Sequence, residues 1–136
     1  METATRFFGK TYDETMALLV ASRDYLANAQ PAEARGLKPI ERLRVNCEAM
    51  RLTTRLTQIM AWLLAQRAVH EGEITREKAA GEEYRLTAEE VCLAEMDCAG
   101  NSLPPRLCEL LDQSRRLYVR VARLDEMARR TVANPA

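Results

Sequence analysis

The fold is decided by the stretch from Ile40 to His70, which reads IERLRVNCEAMRLTTRLTQIMAWLLAQRAVH. Two rows of mostly apolar residues run through it side by side, each advancing by alternating steps of three and four, the period of a helix face. The first row is Ile40, Leu43, Cys47, Met50, Thr54, Thr57, Ala61, Leu64 and Ala68, and the second is Val45, Ala49, Leu52, Leu56, Ile59 and Leu63. Together they predict a helix over residues 39–70, about 45 Å long at roughly 1.5 Å per residue, whose apolar face is wider than a coiled-coil seam.

Two further long helices are predicted on either side of this one. The first covers about residues 8–29 and is closed by Pro31 and Gly36, which are unfavourable inside a helix. The last covers about residues 104–130, and its apolar row again advances by threes and fours. The segment that follows, residues 131–136, contains Pro135 and no apolar pattern, so we expect it to fray.

These helices predict an all-α fold, an antiparallel three-helix bundle with up-down-up order, formed by one domain over residues 1–136. The connection between the second and third long helices, residues 71–104, is too long for a structureless loop inside a compact domain. Thr87 and Glu90 form a capping-box pattern within it. We therefore expect a short helix over about residues 88–97.

Composition excludes several classes of protein. The chain has 136 residues, 20 Lys and Arg against 20 Asp and Glu, and only 5 Gly and 5 Pro. This balance argues against a general nucleic-acid or membrane-surface binder, because such binding needs clustered excess positive charge. The longest apolar run is Ile59 to Ala65, far short of the roughly 18 residues that span a bilayer, and the start lacks a signal-peptide pattern. We expect a cytoplasmic protein.

The neutral total hides an uneven distribution of charge. Residues 71–104 hold nine acidic and three basic residues, a net charge of −6, so the remainder of the chain carries +6. The connection and the bundle are therefore expected to present surfaces of opposite sign.

The sequence contains no recognisable catalytic or metal-binding pattern. His70 is the only histidine and falls in the last turn of the predicted helix, where its cation complements the helix dipole. The four cysteines lack the close spacing of structural zinc ligands. Because a cysteine-poor chain without a secretion signal normally keeps its cysteines reduced, we expect free thiols, with Cys47 packed as a small apolar residue in the core. No metal, cofactor or enzymatic activity is predicted. A metal- or small-molecule-binding bundle enzyme that uses interior Glu and Cys groups is kept as an alternative.

The run from Ile59 to Ala65 is apolar on every side of the helix, which marks either a helix that is buried all round or a face for a partner. The candidate dimer or partner patch is Ile59, Met60, Trp62 and Leu63. The alternative is that residues of the connection cover it, namely Tyr84, Leu86, Val91 and Leu93.

A second candidate surface is a row of arginines on the last helix, consisting of Arg116, Arg120, Arg123 and Arg130. We call it the arginine ridge. Guanidinium groups make paired hydrogen bonds to carboxylates, so the ridge could bind an acidic protein partner, or nucleic acid. The alternative is a solvated face with pairs such as Asp112 and Arg116 at i,i+4 spacing.

Four phrases of the chain together resemble a known family. They are FFGKTYDETMALL, LRVNCEAMRLTTRLTQIMAWLLAQRAVHEGEIT, YRLTAEEVCL and LPPRLCELLDQSRRLYVRVARLDEMA, which follow one another from about Phe7 to Ala128. In this combination and order they resemble the alphaproteobacterial family of the regulator of CtrA degradation, RcdA.

This resemblance implies a non-enzymatic three-helix bundle that forms a homodimer. It implies an adaptor in regulated proteolysis, which tethers cell-cycle substrates to a ClpXP protease primed by a response-regulator-like protein. The family's flexible C-terminal tail is represented here only by TVANPA after Arg130, so no tail residue is assigned a role. The resemblance implies protein partners and no association with a membrane.

Overall fold

The structure of the protein is a computed structural model, which describes residues 2–86, 89–92 and 103–134, with the side chains of 8–86, 91–92 and 103–134. The helices, in chain order, are α1 (Glu2–Asp24), α2 (Gln30–Ala34), α3 (Pro39–His70), α4 (Arg76–Ala79), α5 (Glu89–Cys92) and α6 (Pro105–Ala133). A π-helical turn (Tyr25–Ala29) joins α1 to α2, and a 3-10 turn (Glu82–Tyr84) lies between α4 and α5. The predicted all-α class is confirmed.

Helix α3 begins and ends where the sequence predicts. Pro39 occupies the first turn, where its missing N–H leaves no donor unpaired, and the carboxylate of Glu41 accepts the Lys38 backbone N–H at 3.3 Å. At the other end Gly72 adopts a φ of 78°, a conformation in which residues with a Cβ are strained.

Helical structure at the start of the chain extends beyond the predicted bounds at both ends. Helix α1 starts at Glu2 rather than near residue 8, and the π-helical turn and α2 carry the helical segment to Ala34 rather than Ala29. Pro31 has no N–H to bond the carbonyl four residues earlier, and the chain accommodates it with the π-helical turn. The Tyr25 hydroxyl donates to Glu33 at 2.6 Å, which ties the turn to α2, and burial followed by this hydrogen bond raises the pKa of Tyr25.

The three long helices do not all alternate in direction. The contacts of α3 advance along α6 in the same sense, because Arg55 bonds to Leu111 and Ser114 while Trp62 bonds to Asp125. These two helices are therefore parallel, whereas up-down-up order predicts opposite directions. The contact of Phe8 with Trp62 and the hydrogen bond from Gln30 to Asn46 show that the first helical segment runs against α3.

The connection explains the parallel pair. Its early part lies near the end of α6, where the Ala80 carbonyl accepts a hydrogen bond from Arg129, and its later part lies near the middle of α3, where the Cys92 carbonyl accepts one from Arg55. The described part of the connection, up to Cys92, thus runs back along the bundle, away from the end at which α3 finishes. The part of the predicted short helix from residue 93 to 97, and Leu93 with it, lies outside the described residues.

Helix α6 ends later than predicted, at Ala133 rather than Arg130, so the first residues of the expected tail are helical. Pro135 and Ala136 lie outside the described residues. Within the described ranges, no helix combines the length and apolar character needed to cross a bilayer.

The core lies between α1, α3 and α6. Its fully buried side chains come mainly from the second row of α3 and from one face of α6: Val45, Leu52, Leu56, Ile59, Leu107, Leu110, Leu117, Tyr118 and Val121. Each buried Leu or Val contributes about 1.5–3 kcal/mol through the hydrophobic effect.

Candidate interaction surfaces

The first apolar row of α3 lies on the outside of the bundle. Ile40, Leu43, Met50 and Leu64 are 63%, 57%, 70% and 47% exposed, and Cys47 is a free, exposed thiol rather than a core residue. The prediction that Cys47 packs in the core is wrong. The second row faces the core because its residues lie on the opposite side of the same helix. We call the exposed row, from Ile40 to Ala68, the outer stripe.

The predicted patch around Trp62 is not a surface. Ile59, Trp62 and Leu63 are 0%, 2% and 3% exposed, and Met60 is half-buried. They share the inward face of α3 with the second row, so the chain's own helices cover them. The expectation that these residues form a dimer or partner patch is therefore wrong.

Trp62 is held by contacts with both α1 and α6. Its ring contacts Phe8 at a centroid distance of 5.9 Å, and its indole N–H donates to the Asp125 carboxylate at 2.9 Å. Of the proposed covering residues, Leu86 is buried in the same core cluster as Trp62, Tyr84 is half-buried and Val91 is exposed.

The arginine ridge lies on the surface, and all four of its side chains are exposed. Arg116 pairs with Asp112 at 3.1 Å, Arg130 with Glu126 at 2.6 Å, and Arg120 with Glu14 of α1. The predicted pair of Asp112 with Arg116 is thus present. Exposed pairs of this kind contribute only about 0–1 kcal/mol each, so they would open readily for another carboxylate.

A buried arginine links α3 to α6 and to the connection. The Arg55 guanidinium donates to the carbonyls of Cys92 at 2.6 Å and Leu111 at 2.9 Å, and to the Ser114 hydroxyl at 3.3 Å. Burial lowers the pKa of Arg55 to about 10, with a further lowering from the nearby Arg51 cation. Arg55 is not among the predicted functional residues, although its place on the inward face, three residues after Leu52, was a signal.

A second polar link lies nearer the other end of the parallel pair. Asp125 accepts hydrogen bonds from the Trp62 indole and from Arg129 at 3.1 Å, and Arg129 also donates to the Ala80 carbonyl. One carboxylate therefore joins α3 to α6 and, through Arg129, to the start of the connection.

His70 is exposed in the last turn of α3, as predicted. It lies at the rim of two open cavities of about 250 and 310 Å³, which share Phe8 and Gln66 in their lining. Among the described residues, no three His, Cys, Asp or Glu side chains come together in a way that could hold a metal ion.

The cysteines differ from one another in state. Cys92 is a free, fully buried thiol, and burial raises its pKa. Cys108 is disulfide-bonded, so the expectation of free thiols is wrong there. Cys98 lies outside the described residues.

Comparison with known proteins identifies relatives of the whole chain. The sequence matches the family described as "Protein of unknown function (DUF1465)" over residues 1–136. The crystal structure of RcdA from Caulobacter crescentus CB15 is similar, with 38% sequence identity, a TM-score of 0.72 and 89% of each chain covered. No curated protein matches.

The likeness to RcdA extends over nearly all of both chains, at an identity high enough to show common descent and not merely a common fold. The resemblance predicted from the four sequence phrases is confirmed. The chain therefore belongs to the DUF1465 family and is a member of the RcdA family that its sequence resembles.

Proposed function

We propose that this protein is a non-enzymatic adaptor in regulated proteolysis, which tethers cell-cycle regulatory substrates to a primed ClpXP protease. The observation that carries the proposal is its membership of the RcdA family over nearly the whole chain. Its partners would be the protease with its response-regulator-like primer, the substrates, and a second copy of the chain in a homodimer. The cytoplasm would be its compartment.

The distribution of surfaces supports this role. An adaptor raises the effective concentration of a substrate at a protease, and it does so with separate binding surfaces rather than with an active site. The outer stripe of α3 and the arginine ridge of α6 are two exposed surfaces of different chemistry, one apolar and one cationic.

The proposal is tested by reconstituted degradation. Purified ClpXP, its primer and a fluorescent candidate substrate are mixed with and without this protein, and the substrate half-life is measured. We expect the half-life to shorten only when primer and adaptor are both present. Unchanged half-lives across a panel of cell-cycle regulators, with the primed protease shown to be active, would contradict the proposal.

Within this role the arginine ridge is proposed to bind an acidic protein partner. The double variant Arg116→Glu with Arg123→Glu should reduce delivery of the substrate while the fold is retained, because both side chains are exposed. Arg23→Glu on α1 is the matched control, since Arg23 is also exposed and paired with a carboxylate of its own helix. If both proteins deliver substrate as well as the wild type, the ridge has no part in delivery.

Nucleic acid is the alternative ligand of the ridge. It predicts binding that weakens steeply with salt and that Arg120→Glu reduces. A filter-binding titration at low salt distinguishes the two, because a protein-specific ridge retains no DNA or RNA under those conditions.

A further inference from the structure

An open cavity of about 250 Å³ lies at the end of the bundle where α3 and α6 both finish. Its walls come from α1, from α4 and the residue after it, and from the last turns of α3 and α6. We call it the α4 cavity. A dry apolar cavity of about 150 Å³ holds benzene, so this one has room for such a ring with a short side chain. Much of the described lining is apolar, consisting of Phe8, Val69, Ala79, Ala80, Ala128 and Val132.

One residue of the lining carries a guanidinium without a partner. Arg76, the first residue of α4, is exposed, and its side chain makes no hydrogen bond or ion pair within the described ranges. It differs in this from Arg67 and Arg116, which are paired with nearby carboxylates. A carboxylate that enters the cavity would therefore not have to displace an existing partner of Arg76.

A second guanidinium of the lining is only partly satisfied. Arg129 donates from Nε to Asp125 at 3.1 Å and from Nη1 to the Ala80 carbonyl, but its buried Nη2 has no acceptor among the described residues. Buried donors of native proteins rarely lack an acceptor. Asp125 is the only carboxylate in the described lining, so the two arginines leave that lining with an excess of positive charge.

We propose that the α4 cavity binds a small organic acid, with its apolar body against the alanine and valine walls and its carboxylate beside Arg76 and Arg129. Ligand sites typically combine an apolar lining with a few polar groups that fix the orientation of the ligand. A carboxylate accepts charge-assisted hydrogen bonds from a guanidinium, whereas an amide carbonyl accepts weaker ones and an ammonium group accepts none. The inference goes beyond the proposed adaptor role and does not depend on it.

The probes are three molecules with one apolar body and different charges: phenylpropionate, its amide and phenylpropylamine. Affinity for the full chain is measured by isothermal titration calorimetry, and the emission of Trp62, the only tryptophan, reports the place of binding. Trp62 contacts Phe8 and donates to Asp125, and both of these residues line the cavity. We expect the acid to bind at least about fivefold more tightly than the amide, and the amine to show no saturable binding.

Matched variants locate the site. Arg76→Gln should weaken binding of the acid at least about fivefold and leave the amide unchanged, whereas Arg42→Gln, at an exposed position of α3, should change neither. Ala128→Leu should weaken the acid and the amide alike by at least about tenfold, because the larger side chain occupies the space of the ligand. Ala122→Leu, which lines a different cavity on the same helix, should affect neither. Circular dichroism establishes that each variant is folded.

Three outcomes would overturn the inference. One is the absence of saturable binding of phenylpropionate at concentrations up to about 10 mM, an affinity that a ligand of this size should reach in a matching site. Another is equal affinity for the acid and its amide, or an effect of Arg42→Gln as large as that of Arg76→Gln. The third is binding of the acetylated peptide Gly-Gly-Phe, with a free carboxyl terminus, at least about tenfold more tightly than phenylpropionate, which would assign the cavity to the end of a protein chain.

Discussion

The two faces of α3 carry apolar rows of the same period, but one row is buried and the other is exposed. Met50 and Leu52 are two residues apart in sequence, yet their exposed fractions are 70% and 0%. The inward face also holds polar groups that bond across to another helix: Arg55 and Trp62 each bond to α6. Apolar periodicity therefore predicts a helix and its contact faces. Which of those faces lies in the core is indicated by the polar side chains that need buried partners.

The largest difference in stability between the two faces should appear when the same charged residue is placed on each. Leu52→Asp buries an unpaired carboxylate in the core and should prevent folding, a loss of more than about 4 kcal/mol in the free energy of unfolding. Met50→Asp should change that free energy by less than about 0.5 kcal/mol, because the site is exposed. Urea denaturation followed by circular dichroism measures both. Similar losses in the two variants would show that the face assignment is wrong.

Removal of the buried arginine should have the next largest effect. Arg55→Ala leaves a cavity and deprives the Cys92 carbonyl of its hydrogen bond, so we expect a loss of about 3 kcal/mol in the free energy of unfolding. Arg42→Ala, at an exposed position of the same helix, serves as the control and should be close to neutral. A neutral Arg55→Ala would mean that this guanidinium does not hold the connection to α3.

Loss of the hydrogen bond between Trp62 and Asp125 should reduce the free energy of unfolding somewhat less than loss of Arg55. Asp125→Ala leaves the buried indole N–H without its acceptor and Arg129 without its carboxylate, for an expected loss of about 2 kcal/mol. Asp112→Ala removes a carboxylate from an exposed pair with Arg116 and should cost less than about 0.5 kcal/mol. Equal melting temperatures of the two variants would contradict the structural role of Asp125.

The smallest perturbation is a comparison of the reaction rates of two thiols in the unmutated protein. Cys47 lies on the outer stripe and is exposed, whereas Cys92 is fully buried beside Arg55. Burial raises the pKa of Cys92, so its thiolate forms only at higher pH, and we expect Cys47 to react with iodoacetamide at least about tenfold faster at pH 8. Mass spectrometry of time points measures the two rates. Comparable rates in folded protein would mean that Cys92 is accessible.

Much of the fold was predictable because it follows from local rules. The bounds of α3 were predicted to the residue, since Pro39 and Gly72 act on their own turns of backbone. The direction of α6 was not predicted correctly, because it depends on the path of residues 71–104, which local patterns do not specify. The helix through Pro31 was also missed, since a π-helical turn absorbs the lost hydrogen bond.

The surfaces were less predictable than the fold. The arginine ridge was correctly placed outside, because its four members share a strongly polar face of α6. The patch around Trp62 was proposed as a partner face but is buried. Sequence could not decide this, since the periodicity of the two rows of α3 is the same whether α1 and α6 pack on one or on the other. Only the position of a tertiary partner such as Asp125 distinguishes them.

The parallel arrangement of α3 and α6 has a consequence for synthesis of the chain. Helices α1 and α3 are close in sequence and can pair early, but the bonds of Arg55 join residues 37 and 56 positions apart. Because chains emerge from the ribosome starting at the N-terminus, α3 is complete well before α6 exists to cover it. During that interval the nascent chain exposes apolar rows on both sides of one helix, and this interval is when it is most vulnerable to aggregation and most dependent on chaperones.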